Sequence, residues 1–152
     1  MYIKIGKNFS KNILINEKIL RKYISFSGDT NPIHTNKLTA KNYGFQGIVV
    51  HGGIIVALIS KIIGTKIPGP GSLCLEQNIK YLKPVYVGDI ISLQVRIINY
   101  FKSIDTLLLK INIYIKKVKV IEGSMKVLVG EKILKKNKNT INKIKEIFEK
   151  NN

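Results

Sequence analysis

Apolar residues recur at three-to-four spacing over residues 16–27, where Ile19, Leu20, Tyr23 and Ile24 share a face. That period predicts an amphipathic helix, with Asn16 as its N-cap and Gly28 as its stop. Asp29 then falls just beyond the helix end. A shorter helical turn is expected over residues 36–43, closed by Gly44. Residues 52–64 carry a different pattern: Ile54, Ile55, Leu58, Ile59 and Ile62 surround the segment on most sides, which marks a buried helix. Gly64 ends it, and Pro68-Gly69-Pro70-Gly71 makes the following stretch a loop.

From Ser72 the period becomes two. Leu73, Leu75, Ile79 and Tyr81 oppose Glu76, Asn78 and Lys80. After breaks at Lys83-Pro84 and Gly88-Asp89, Ile91, Leu93, Val95 and Ile97 alternate with Ser92, Gln94 and Arg96. Leu107, Leu109, Ile111, Ile113 and Ile115 form the clearest run, against Lys110, Asn112 and Lys116. A further strand is expected over residues 119–129, with Gly123 as a bulge or bend, and a short first strand over residues 1–5. One buried helix followed by a meander of long antiparallel strands describes an α+β fold with the sheet wrapped around the helix. The pattern divides the chain into a domain over residues 1–130 and a Lys- and Asn-rich tail over 131–152, where Ile141, Ile144 and Phe148 suit one face of a short helix. No internal repeat is visible.

Composition changes this picture little. The chain has 152 residues, 45% hydrophobic and 23% charged, enough for one domain with its own core. Its one cysteine, Cys74, has no disulfide partner and reads as a core residue on a strand. The N-terminus lacks the apolar run of a signal peptide, and the most apolar stretch, residues 47–60, is too short to span a bilayer. A soluble cytoplasmic protein is expected. The net charge of +17 points to an anionic partner. It is almost all lysine spread along the chain, with no RGG segment and no aromatic pattern for stacking bases, which argues against nucleic acid.

The chemistry gathers in residues 26–53, which hold both histidines, His34 and His51. Pro32 biases Asn31 away from helix, so Asp29 and His34 are expected on an irregular loop, free to converge. Two readings are open. They form a general acid–base pair around a water, or Asp29 caps a turn and His34 is a hydrogen-bonded loop residue. His51 reads as a satisfied histidine at a helix start, and Gly52 and Gly53 as aids to close packing.

The run S-G-D-T-N-P-I-H at residues 27–34, followed by V-V-H-G-G, P-G-P-G-S and P-V-Y-V-G-D, closely resembles the MaoC-like, (R)-specific enoyl-CoA hydratases. The resemblance covers residues 16–129. It implies a hot-dog fold, a long helix wrapped by an antiparallel sheet, usually paired as a dimer. It implies reversible hydration of trans-2-enoyl thioesters to (R)-3-hydroxyacyl thioesters. Asp29 and His34 then match the catalytic pair, Asn31 the asparagine that supports them, and the Gly52 backbone N–H the oxyanion donor. No cofactor or metal is implied; coenzyme A or acyl carrier protein carries the acyl group, and the anionic carriers suit the basic balance. Two departures stand out. Ala57 sits where some relatives have a serine, and the hairpin near residues 116–119 lacks the glycines of a tight turn. The alternatives are a (3R)-hydroxyacyl-[acyl-carrier-protein] dehydratase, running the same chemistry backwards, and a non-catalytic module that holds acyl thioesters or RNA. A homodimer is expected, because a sheet of this size leaves an open edge.

Overall fold

A computed structural model of the chain describes residues 4–129; the tail expected from residue 131 onward lies outside the described residues, as do the first three positions. The elements run β1 (Asn8–Leu14), α1 (Glu17–Ser27), α2 (Pro32–Thr35), α3 (Lys37–Asn42), α4 (Gly52–Thr65), β2 (Leu73–Tyr81), β3 (Ile90–Phe101), a 3-10 turn (Lys102–Ile104), β4 (Thr106–Ile115) and β5 (Val118–Leu128). The five strands form one antiparallel sheet in the order β1-β3-β4-β5-β2. α4 is about 21 Å long and packs on its inner face.

The inward residues expected of the strands over 91–97 and 107–113 are where period two puts them. Leu93, Val95, Leu107, Leu109, Ile111, Ile113 and Ile121 are fully buried, as are Ile54, Ile55 and Ile59 of α4. Truncating one of these isoleucines to alanine costs about 2–5 kcal/mol, from lost transfer energy plus the cavity left behind. α1 also forms as read: Asn16 Oδ1 accepts from Ile19 N at 3.0 Å, and Gly28 closes the helix in the left-handed region at φ 70°.

Several expectations need correcting. The first strand among the described residues is Asn8–Leu14, paired with β3; of the strand expected over residues 1–5, Lys4 and Ile5 are not in a strand and the rest lies outside the described residues. Gly123 is no bulge, since Ile79 and Ile111 pair with it in continuous register. A Cβ there would strike the Asn78 carbonyl oxygen and Ile79, so glycine lets β2 lie close against β5. The irregular steps fall instead at Cys74/Glu76, Ile97/Asn99 and Ile113/Tyr114. β2 is an edge strand on which Leu73 and Leu75 are each more than half exposed, while Ile79 packs against the core. Cys74 on this strand is exposed, not core. The β4–β5 hairpin turns on Lys116 and Lys117 at φ 46° and 69°, so a two-residue turn that favours glycine or asparagine is made by two lysines.

Candidate active site

Two short pieces of backbone hold the chemistry. The first is α2, one turn of helix where a loop was expected. Asn31 is its N-cap, with Oδ1 accepting from Ile33 N at 3.2 Å, and Pro32 takes the first helical position. Proline suits that position because its missing N–H would be unpaired there anyway. Asn31 itself stays out of the helix, as the following proline requires. Its own N–H is donated to Asp29 Oδ1 at 3.1 Å. Asn31 thus holds the Asp29 carboxylate with its backbone and starts the His34 helix with its side chain.

The second piece is the extended Ile48–Val50, which forms a bridge to the P-V-Y-V-G-D stretch. Val50 N donates to Val85 O at 2.8 Å and Val87 N to Ile48 O at 3.1 Å. On the α2 side, Val49 N donates to Ile33 O at 3.0 Å, and His34 Nδ1 meets Val49 O at 2.7 Å. A carbonyl only accepts, so His34 Nδ1 carries the hydrogen and Nε2 keeps its lone pair.

His51, next along, is 2% exposed and stacks on the His34 ring with centroids 3.9 Å apart and planes 30° from parallel. Its Nε2 lies 3.0 Å from Asp29 O. Ligand atoms of Asp29, His34 and His51 all lie within 4.8 Å of one another. The arrangement is not that of a metal centre. A divalent ion needs lone pairs converging on one point, whereas here the rings are stacked and His51 Nε2 is committed to a carbonyl.

Gly52 begins α4, so its N–H has no partner within the helix, and the His51 side chain makes no capping bond. The positive end of the helix dipole adds to this donor. Gly52 lines a largely apolar cleft of about 360 Å³ together with Val49, Ile55, Tyr81, Pro84 and Val85. Asp29 and His34 are not on its walls; His51 joins the two, preceding Gly52 and touching both. Tyr81 Oη donates to Gly52 O at 2.9 Å, and a Cβ on Gly52 would lie 2.9 Å from that same hydroxyl. A Cβ on Gly53 would collide with the Tyr23 hydroxyl. The paired glycines therefore admit two tyrosines over the helix start, which bears out the packing reading. Burial, then the neighbouring Tyr23, raises the Tyr81 phenol above its ordinary range.

The structure thus brings Asp29, Asn31 and His34 together and places Gly52 one residue from the histidine that joins them. Sequence reasoning missed His51, Tyr81 and Tyr23 as parts of the site. The signal for His51 was its place inside H-G-G; the tyrosines carried none.

The sequence profile described as the MaoC like domain matches residues 3–110. The chain belongs to the MaoC-like family. An (R)-specific enoyl-CoA hydratase from Rhodospirillum rubrum is 30% identical to this MaoC-like chain over 127 residues, covering 84% of it and 88% of the relative. The solved (R)-hydratase from Aeromonas caviae, involved in PHA biosynthesis, superposes with TM-score 0.80 at 23% identity over 84% of this chain and 98% of that one, which shows the hot-dog fold. A mitochondrial 3-hydroxyacyl-[acyl-carrier-protein] dehydratase from Arabidopsis thaliana is 28% identical over 87 residues, 57% of this chain and 51% of the relative.

Proposed function

We propose that this MaoC-like chain is an (R)-specific enoyl-CoA hydratase, a hydro-lyase that adds water reversibly to trans-2-enoyl thioesters. Asp29 and His34 hold one water between them. Its oxygen bonds C3 as the pair takes one of its protons. The electrons of the C2–C3 double bond move to the thioester oxygen, and the proton is returned to C2, giving the (R)-3-hydroxyacyl product. Asn31 fixes the Asp29 carboxylate, and the Gly52 N–H stabilises the enolate oxygen as its charge grows. The observation that carries this reading is the convergence of a carboxylate and an imidazole with a free Nε2 lone pair, next to an uncapped helix start.

The carrier is coenzyme A or acyl carrier protein, with no resident cofactor. The +17 charge favours an anionic carrier of either kind. The Arabidopsis relative supports a second reading, 3-hydroxyacyl-[acyl-carrier-protein] dehydration through the same site in reverse. Among the described residues no helix is long and apolar enough to cross a membrane. The purified protein is expected to remove the conjugated enoyl-thioester absorbance of crotonyl-CoA. No change with CoA or carrier-protein thioesters of several lengths would leave only a binding module, for acyl thioesters or RNA.

A further inference from the structure

We propose that His51 is a positioning residue, a buried clamp that ties the main chain of Asp29 to the ring of His34, with the two stacked imidazoles in opposite tautomers. The catalytic roles of Asp29 and His34 rest on the function proposed above; the clamp itself rests on geometry alone.

His51 Nε2 lies 3.0 Å from the Asp29 carbonyl oxygen and 3.6 Å from its Oδ2. Only the first is a hydrogen-bond distance. Because a carbonyl oxygen cannot donate, the hydrogen sits on His51 Nε2. His34 is the mirror case, with its hydrogen on Nδ1, held by Val49 O. The remaining polar atom of His51, Nδ1, is buried with no partner among the described residues. The stronger obligation, the N–H donor, has been given the carbonyl, and only a lone pair is left unpaired. His51 Nε2 therefore fixes where the Asp29 backbone lies, while its ring face fixes the plane of His34 at 3.9 Å. Tyr23 of α1 packs on the same ring at 4.9 Å, so the His51 ring is held between α1 and His34. Small displacements of reacting groups are costly, of order 100-fold per ångström.

The test has two arms. In the ¹⁵N-labelled native protein, long-range ¹H–¹⁵N NMR of the imidazoles should show His34 protonated at Nδ1 and His51 at Nε2. A His51 carrying its hydrogen on Nδ1 overturns the proposal, whatever the protein turns over. In the second arm, His51→Phe keeps a ring face and removes the donor, while His51→Gln keeps an N–H within reach of Asp29 O and removes the ring. His51→Phe should lower kcat roughly 10- to 100-fold with KM little changed, and His51→Gln should recover part of that loss. A folded His51→Phe protein with native kcat overturns the clamp. If His51→Phe does not fold, the tautomers decide alone. If the native protein hydrates no thioester, the proposed function fails while the tautomers still decide this inference.

Discussion

His34 and Val49 are bound at both ends of one residue: His34 Nδ1 donates to Val49 O at 2.7 Å, and Val49 N–H donates to the carbonyl preceding His34 at 3.0 Å. This double bond joins D-T-N-P-I-H to V-V-H-G-G across a separation of fifteen positions. It also leaves His34 Nε2 as the ring's free base, because Nδ1 is spent on the carbonyl.

The pair is open to a direct test. Asp29→Asn keeps the size and removes the charge; His34→Gln keeps a hydrogen-bonding group and removes the titratable base. Each is expected to lower kcat by roughly 10²–10⁴-fold, as for a lost general acid–base group. The double variant should be little worse than the worse single one, since groups acting as a unit are not additive. Losses that multiply would mean two independent groups and no shared water.

Tyr81 predicts an alkaline limb in stability. Its folded-state phenol lies above the ordinary range, through burial first and Tyr23 second. A raised value means the fold prefers the neutral phenol. The contribution is complete below the unfolded value near 10 and is lost as pH rises through the higher folded one. Tyr81→Phe loses the bond to Gly52 O at a cost of about 1 kcal/mol near neutral pH, and its melting temperature should fall less steeply from about pH 9 to 11. Parallel curves for the two proteins would remove Tyr81 as the source.

The β4–β5 turn offers a gain. Lys116 and Lys117 both hold positive φ, a conformation that costs a side-chain-bearing residue roughly 1–2 kcal/mol. Lys116→Asn with Lys117→Gly supplies the pair that such a turn favours. The double variant should be more stable by about 1 kcal/mol in urea unfolding. An unchanged midpoint would show that these lysines are not strained.

The open edge of β2 predicts a dimer. Among the described residues only β5 pairs with β2, and Leu73, Leu75 and Tyr81 are each about half exposed on it. Such an edge is covered in most soluble proteins, and a second copy does so by two-fold symmetry. Light scattering at micromolar concentration should give twice the chain mass of 17.2 kDa. A monomeric mass would sink this.

Periodicity alone placed α1, α4 and the inward faces of β3 and β4, because those patterns are written by local geometry and by burial on one side. Motif spelling named Asp29, Asn31, His34 and Gly52. What the sequence could not supply was contact between distant pieces. Asn31-Pro32 spells equally well a turn or the start of a helix, and α2 is held in place by Val49, whose N–H donates to Ile33 O and whose carbonyl accepts from His34. Gly123 reads as a bulge in the sequence, whereas the backbone of β2 lying against it is what requires the glycine. His51 looked like a satisfied end residue; only the stacking of His34 and the reach to Asp29 O made it part of the site. Tyr81 and Tyr23 lie far from H-G-G in the chain, and no local pattern announces that two glycines leave room for two phenols. Such pairings are decided by which surfaces the packed sheet and helix bring together, and that choice is made in three dimensions.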